Sequence, residues 1–275
     1  MSSAARQLVT KLTGTNRFPR VWRRKRSVHG VLIRKLANTR NDILKLDRDA
    51  RMQFLWFCSE RLEKSHSQIF QDQFVLYALG EKRNGFFCDF GAANGVQLSN
   101  SYMLETHYGW TGICAEPARG WHEALRRNRP STSIETDCVW TVTGERLVFN
   151  EVRSTALSTI AAFSTADGHA RKRTGRRSNT YEVSTISLND MLDKYNAPPD
   201  FDYLSVDTEG SELTILEQVD FSRHCPKLIT VEHNFTSNRE GIYRLLTAKG
   251  YRRVLQEFSD FEDWYVGEAV PFGKS

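Results

Sequence analysis

Hydrophobic residues beyond Gly85 alternate between short apolar runs and stretches with helical spacing. The apolar runs predict strands over residues 86–90, 111–115, 133–137, 201–206 and 228–231. The stretches with helical spacing cover residues 98–106, 118–128, 188–195, 211–219 and 239–249. Repeated strand–helix units predict an α/β fold with a mostly parallel sheet covered by helices on both faces. Two consecutive strands, 251–257 and 262–267, predict an antiparallel hairpin that closes the sheet.

Two segments interrupt or precede this alternation. Residues 139–153 predict a hairpin that turns at Gly144. Residues 167–180 are rich in Arg, Gly and Ser/Thr, which is typical of a mobile basic loop, and residues 181–186 predict a further extended segment. Before Gly85, residues 41–64 predict a helix or helix pair, and residues 67–79 predict a helix that ends at Gly80. We therefore divide the chain into an arm with a helical extension, residues 1–64, and an α/β domain, residues 65–275.

Charge is distributed unevenly along the 275 residues. Residues 1–50 carry 13 Lys/Arg and 3 Asp/Glu, although the net charge of the whole chain is only +5. Such a basic arm suits contact with anionic lipid, nucleic acid or a phosphorylated substrate, but a solvated tail or a mitochondrial presequence has the same composition. No apolar run is long enough to span a membrane, and the five cysteines lack the spacing of a zinc site. We expect a cytoplasmic protein with peripheral membrane contact through its arm.

Glycines and an acid follow the first predicted strand, where α/β sheets bind their ligands. Glycines at 91 and 95 allow the backbone to approach a ligand closely and to turn into a helix. The spacing is not that of the GxGxxG fingerprint, which disfavours a dinucleotide-dependent oxidoreductase. The candidate cofactor-binding residues of this strand end are Asp89, Gly91, Ala92, Asn94 and Gly95.

The next two strand ends favour a nucleoside ligand. Glu116 follows the second strand, where an acid accepts hydrogen bonds from ribose hydroxyls, although a surface carboxylate that caps the next helix is the plainer alternative. Asp137 and Cys138 follow the third strand and are expected beside an adenine ring. The three strand ends together indicate an adenosine-containing cofactor.

Acids and a histidine follow the last two parallel strands. Asp207 and Glu209 follow one strand, and Glu232, His233 and Asn234 follow the other. One interpretation is that His233, Asp207 or Glu209 removes the proton of a substrate hydroxyl. The other is that Asp207, Glu232 and Asn234 hold a hard divalent cation such as Mg²⁺, which prefers oxygen ligands. Asp207 is also expected to face the reactive end of the cofactor.

Several motifs, in this order along the chain, resemble those of the FkbM family of methyltransferases. They are Ser67-Gln68 with Gln71-Asp72, residues 88–95 (CDFGAANG), 115–117 (AEP), 184–188 (STISL), 205–212 (SVDTEGSE) and 231–234 (VEHN). The resemblance spans roughly residues 65–267 and leaves out residues 1–60. It implies a class I methyltransferase fold, a Rossmann-like sheet of seven mostly parallel strands. It also implies S-adenosylmethionine as methyl donor and a hydroxyl oxygen, often of a sugar or secondary metabolite, as acceptor.

The resemblance also assigns roles to residues. Asp89, Gly91, Asn94 and Gly95 are expected to contact the methionine part of the cofactor, and Glu116 its ribose. Some oxygen methyltransferases with a related fold hold magnesium at the two acid-rich strand ends. We expect the acceptor to be a hydroxyl-bearing saccharide or small molecule, lipid-linked or phosphorylated if it is recruited by the basic segments.

Two other classes of function are left open by the motifs. A methyltransferase that acts on nucleic acid would use the basic arm, but its Asn/Asp-Pro-Pro-Tyr/Phe motif is replaced here by Asp207-Thr208-Glu209-Gly210, which disfavours nucleic acid as a partner. A methyltransferase acting on protein, or a non-catalytic binding protein with the same fold, is the second alternative.

Overall fold

The computed structural model describes residues 50–152, 159–160 and 178–272. Its strands are β1 Phe86–Phe90, β2 Thr111–Ala115, β3 Ser133–Glu135, β4 Cys138–Trp140, β5 Arg146–Val152, β6 Thr159–Ile160, β7 Ser178–Ser187, β8 Tyr203–Val206, β9 Leu228–Glu232, β10 Tyr251–Val254 and β11 Glu262–Gly267. Seven of them form the main sheet, in the order β3-β2-β1-β8-β9-β11-β10.

All neighbours in the main sheet are parallel except at β11. This strand is antiparallel both to β9 and to β10, between which it lies. β8 and β9 are buried along their whole length, as expected for central parallel strands covered on both faces. The predicted fold, a seven-stranded mostly parallel sheet closed by antiparallel strands at its C-terminal end, is confirmed.

Eight α-helices lie among the described residues. Their bounds are α1 Ala50–Arg61, α2 Gln71–Ala78, α3 Tyr102–Tyr108, α4 Arg119–Asn128, α5 Leu188–Lys194, α6 Glu212–Leu216, α7 Asn238–Ala248 and α8 Gln256–Ser259. The predicted start of a helix at residue 98 is wrong. Leu98 has a φ of 58° and forms a bridge with Ser67, and the hydroxyl of Ser99 then accepts the N–H of Tyr102 to start α3.

The segment between β3 and α5 forms a second, four-stranded sheet in the order β4-β7-β5-β6. The predicted hairpin over 139–153 is therefore wrong, because β4 and β5 each pair with β7 and not with each other. The turn between them is held by Thr185 on β7, whose hydroxyl donates to the carbonyl of Val142 and accepts the N–H of Glu145. Of the basic loop predicted over 167–180, residues 167–177 lie outside the described residues, and residues 178–180 belong to β7.

α1 packs into the same core as the sheet. Phe54 makes edge-to-face contacts with Tyr77, Phe258 and Trp264, and Phe74 of α2 stacks on Trp264 with ring centroids 4.9 Å apart. The helical part of the extension thus contributes to the hydrophobic core, whereas the basic arm lies outside the described residues. Within the described ranges, no helix is long and apolar enough to cross a membrane.

Candidate functional site

A cavity of about 630 Å³, including the part open to solvent, lies at the carboxyl ends of the parallel strands. It lies between the ends of β1, β2 and β8 on one side and the second sheet on the other. Its lining residues are Phe90, Gly91, Ala115, Glu116, Pro117, Trp121, Cys138, Val139, Phe149, Ile160, Asp207, Thr208, Glu209 and Ser211. The position agrees with the rule that open α/β sheets bind ligands beyond the carboxyl ends of their strands.

Gly91 lines the cavity directly after β1 and packs against the backbone of Asp207, which follows β8. Its φ is +90°, and a Cβ at this position would lie 1.9 Å from the carbonyl oxygen of Asp207. Its N–H donates to the carbonyl oxygen of Ala115 at 3.0 Å, and the N–H of Asp207 donates to the carbonyl oxygen of Phe90. Only glycine fits here, so the loop after β1 stays close to Asp207 and leaves the space above it open.

Glu116 projects into the cavity from the end of β2. One carboxylate oxygen accepts the N–H of Ala93 and the other accepts the N–H of Ala118, both at 2.8 Å. Burial of the side chain raises the pKa of Glu116 to about 7, despite these two hydrogen bonds. The carboxylate is thus held rigidly between two loops, and each oxygen keeps a free lone pair for a hydroxyl donor.

Apolar side chains form the wall opposite the glycine loop. They are Trp121 from α4, Cys138 and Val139 from β4, Phe149 from β5 and Ile160 from β6. Such a wall suits a flat aromatic ring. Cys138 was expected beside adenine from the sequence, but Phe149 and Ile160 were not identified, because their placement depends on pairing within the second sheet.

Three carboxylates lie close together where Asp207 and Glu209 line the cavity. Asp207, Glu209 and Glu232 each have a carboxylate oxygen within 4.8 Å of the others. Burial, followed by the neighbouring negative charges, raises the pKa of Asp207 and of Glu232 well above the usual range. Glu212 shapes this end: its carboxylate accepts the N–H of Thr208 and of Gly210. One oxygen of Glu232, Oε2, is buried and has no hydrogen-bond partner.

Five of the residues expected to contact the cofactor do not line the cavity, namely Asp89, Ala92, Asn94, Gly95 and Asp137. The carboxylate of Asp89 is buried on the other face of β1, where it accepts a hydrogen bond from the hydroxyl of Ser101 at 2.5 Å. Asn94 uses its side-chain oxygen to accept the N–H groups of Val96 and Gln97, which shapes the glycine loop. Asp137 is half-buried and is not among the described residues that line the cavity.

Arg129 connects these loop residues and was missed by sequence reasoning. Its guanidinium is fully buried, forms an ion pair with Glu105, and donates to the carbonyl of Gly95 and to the hydroxyl of Ser101. Arg129 therefore links Gly95, at the end of the glycine loop, to Ser101, whose hydroxyl donates to Asp89. An arginine that directly follows a helix rich in basic residues gives no signal of this role in the sequence.

His233 directly follows Glu232 in the chain and is not part of the cavity lining described above. Its Nδ1 accepts the N–H of Phe235 at 3.0 Å, and its Nε2 lies 3.8 Å from a carboxylate oxygen of Asp263. Burial lowers the pKa of His233, which keeps the ring neutral near pH 7. Asn234 follows with a buried side-chain nitrogen, Nδ2, that has no hydrogen-bond partner.

The strand order and the cavity define the class of protein. An open sheet whose last strand is inserted antiparallel between the two before it, with a glycine loop after β1 and a buried acid after β2, is the class I methyltransferase fold. A family model described as "Methyltransferase FkbM domain" matches residues 89–264. The chain belongs to the FkbM methyltransferase family and is a methyltransferase dependent on S-adenosylmethionine.

Known structures with similarity to the chain include several methyltransferases. The precorrin-6y C5,15-methyltransferase of Geobacter metallireducens GS-15 is 12% identical, with a TM-score of 0.39, over 71% of this chain and 85% of its own. An O-methyltransferase of Bacillus cereus in complex with SAH is 10% identical, with a TM-score of 0.38, over 96% and 95%. The METTL16 methyltransferase domain is 11% identical, with a TM-score of 0.41, over 87% and 79%. No curated protein matches the sequence.

Proposed function

We propose that this methyltransferase acts on oxygen and transfers the methyl group to a hydroxyl of a saccharide or another small metabolite. The observation that supports this proposal is the carboxylate cluster of Asp207, Glu209 and Glu232, two of whose members, Asp207 and Glu209, line the same cavity as Glu116 and Gly91. A hydroxyl is a poor nucleophile until its proton is removed, and an ionised carboxylate that lines the cavity can accept that proton.

Different residues of the cavity would bind the methyl donor and accept the proton in such a reaction. S-adenosylmethionine supplies an activated methyl group on a sulfonium, and its ribose hydroxyls would donate to Glu116. A sulfonium cation bound at the end of the cavity lined by Asp207 and Glu209 would favour the ionised form of Asp207, whose pKa burial raises. There, Asp207 or Glu209 accepts the proton of the acceptor hydroxyl while the new carbon–oxygen bond forms and the carbon–sulfur bond breaks. The protein contributes alignment and a proton acceptor, since the donor is already reactive.

Among the candidate bases, the geometry favours the carboxylates over His233. Asp207 and Glu209 line the cavity, whereas His233 does not. Nδ1 of His233 accepts the Phe235 N–H, and its buried Nε2, which has no hydrogen-bond partner, lies 3.8 Å from Oδ1 of Asp263. Replacement of Glu209 with Gln should lower kcat by about a hundredfold or more if it is the base. Replacement of His233 with Asn keeps a hydrogen-bond acceptor for Phe235, and we expect a change of kcat within about tenfold. A larger loss in His233→Asn than in Asp207→Asn or Glu209→Gln would reinstate the histidine as the base.

The test of the acceptor class uses the full chain and a defined panel. Transfer of radiolabelled methyl from S-adenosylmethionine is measured with methyl glycosides, p-nitrophenyl glycosides, simple phenols, an amine-bearing peptide and an RNA oligonucleotide. Label retained after mild base treatment and located on oxygen by mass spectrometry supports the proposal. Methylation confined to the peptide or the RNA would overturn it. Glu63→Gln, which changes an exposed carboxylate far from the cavity, is the control for charge.

The carboxylate cluster also fits a divalent cation. Its donors are all oxygens, and the unpartnered Oε2 of Glu232 is a group that a cation would satisfy. Mg²⁺ held by Asp207, Glu209 and Glu232, with Asn234 beside them, would polarise the acceptor hydroxyl. Calorimetric titration of Mg²⁺ in the presence of S-adenosylhomocysteine should show one saturable site that Glu209→Gln loses and Glu63→Gln keeps. No binding to the wild-type protein would remove the metal from the proposal and leave oxygen methylation standing.

A further inference from the structure

A strained turn follows β9 and borders the carboxylate cluster. We name residues 233–236 the rim turn. Val206 of β8 pairs with Val231 of β9, so the chain leaves the two strands side by side at Asp207 and Glu232. Within the turn, Asn234 and Phe235 have φ values of 44° and 58°. Two consecutive non-glycine residues in the left-handed region cost about 1–2 kcal/mol each, a strain that tends to be kept at functional sites.

Hydrogen bonds from His233 and Phe261 hold the rim turn in this conformation. The N–H groups of His233 and Asn234 both donate to the carbonyl of Phe261, at 2.9 and 3.0 Å. The N–H and the hydroxyl of Thr236 donate to the carbonyl of His233, each at 2.8 Å. The N–H of Phe235 donates to Nδ1 of His233, which places the proton of the neutral ring on Nε2. The side chain of His233 therefore fixes the backbone of Phe235.

The rim turn carries an exposed aromatic ring, Phe235, and a side-chain amide, Asn234, whose nitrogen has no hydrogen-bond partner. Phe235 is 71% exposed, more than any other large hydrophobic side chain of the described residues. Its ring contacts the ring of His233 edge-on, with centroids 5.6 Å apart. Nδ2 of Asn234 is buried and has no hydrogen-bond partner in the protein, so it can donate to a bound molecule. Strain, exposure and an unpaired donor occur together on two consecutive residues.

Resting on the proposed function, we propose that the rim turn is the acceptor-binding wall of the site. Phe235 packs against a flat C–H face of the acceptor, and the amide of Asn234 turns to donate a hydrogen bond to an acceptor oxygen. The chemistry fits a ring that bears oxygens beside its reacting hydroxyl, with an apolar face and polar edges. His233 is then a positioning residue, which acts through the backbone of Phe235 and not on the reacting atoms.

The experiment compares variants of the rim turn on whichever glycoside of the panel the wild-type protein methylates. Phe235→Ala removes the ring, Phe235→Tyr keeps it, and Trp56→Ala removes a partly exposed aromatic side chain on α1 as a matched control. We expect Phe235→Ala to raise the KM for the glycoside by about ten- to a hundredfold, from the lost apolar contact. Phe235→Tyr should restore the wild-type KM to within about threefold. The Kd for S-adenosylhomocysteine should stay unchanged in all three variants. The Tm should stay unchanged in the two Phe235 variants, because a ring that is 71% exposed contributes little to folding.

Asn234→Asp separates hydrogen bonding to the acceptor from metal binding. The aspartate removes the N–H donor but keeps, and strengthens, an oxygen ligand. We expect the KM for the glycoside to rise by about three- to tenfold, with Mg²⁺ binding no tighter than in the wild type. Tighter Mg²⁺ binding with an unchanged KM would instead make Asn234 a metal ligand and overturn its role in the wall.

The outcomes distinguish the inference from the function on which it rests. If the wild-type protein methylates a glycoside and Phe235→Ala has the same KM, the acceptor wall is wrong while the oxygen methyltransferase stands. If the wild-type protein methylates no glycoside or phenol of the panel, the proposed function is wrong and the inference is overturned with it.

Discussion

The raised pKa of Glu116 predicts how the affinity for the cofactor depends on pH. Its pKa is raised to about 7 by burial, so the ionised fraction rises from about one-tenth at pH 6 to about nine-tenths at pH 8. Ribose hydroxyls donate hydrogen bonds to the ionised form. We therefore expect the Kd of the wild-type protein for S-adenosylhomocysteine to be about tenfold higher at pH 6 than at pH 8, which corresponds to about 1.4 kcal/mol.

The variant Glu116→Gln removes both the charge and its pH dependence. The loss of charge-assisted hydrogen bonds costs about 1.5–3 kcal/mol, so the Kd at pH 8 should rise by roughly ten- to a hundredfold. The remaining affinity should lack the part of the pH dependence that comes from residue 116. Glu63→Gln, an exposed carboxylate replaced in the same way, should retain the wild-type profile.

Isothermal titration calorimetry measures both effects, and it also counts protons. At pH 6, wild-type protein should release about one proton on binding, because the complex stabilises the carboxylate that the free protein holds protonated. Titrations in two buffers with different ionisation enthalpies give this number directly. A Glu116→Gln variant that binds as tightly as the wild type, or that shows the same change between pH 6 and pH 8, would refute the ribose role of Glu116.

Three further changes test the structure of the site. Gly91→Ala should lower the free energy of unfolding by about 3 kcal/mol or more in urea titrations, because its Cβ would meet the carbonyl oxygen of Asp207. Arg129→Met should cost about 3–5 kcal/mol by the same measurement, because it leaves the carboxylate of Glu105 buried and unpaired. Burial raises the pKa of Glu262 to about 8, so its contribution to stability is present below the unfolded value and lost as the pH rises through about 8. Denaturation should show a smaller loss of stability between pH 5 and pH 8.5 in Glu262→Gln than in the wild-type protein, and equal losses would contradict this reasoning.

The elements of the main sheet were predictable because their signals are local. An apolar run followed by a glycine or an acid marks the end of a buried strand, and Asp207 and Glu232 were placed at neighbouring strand ends for this reason. The carboxylate cluster follows directly from two such motifs. The prediction failed where pairing is not local, as in the hairpin over 139–153, whose two strands pair with β7.

The direction in which a side chain points was the second feature that the motifs did not predict. Neighbouring residues of a strand face opposite sides of the sheet, so Asp89 lies away from the cavity although it immediately precedes Phe90, which lines it. The motif around the glycine loop predicts the site correctly without showing which of its residues face it. Asn94 likewise uses its side chain to cap a turn.

The sequence by itself determined the class of the protein, since the order of strands, the glycine loop and the acids at strand ends are all encoded in short contiguous motifs. The family assignment follows from the same motifs. The tertiary structure decided which groups meet: the apolar wall built from the second sheet, the buried Arg129 beneath the glycine loop, and a rim turn whose His233 holds the backbone of Phe235. Motifs of a few residues encode strand ends, but contacts between side chains far apart in the chain depend on how the sheets pair and pack.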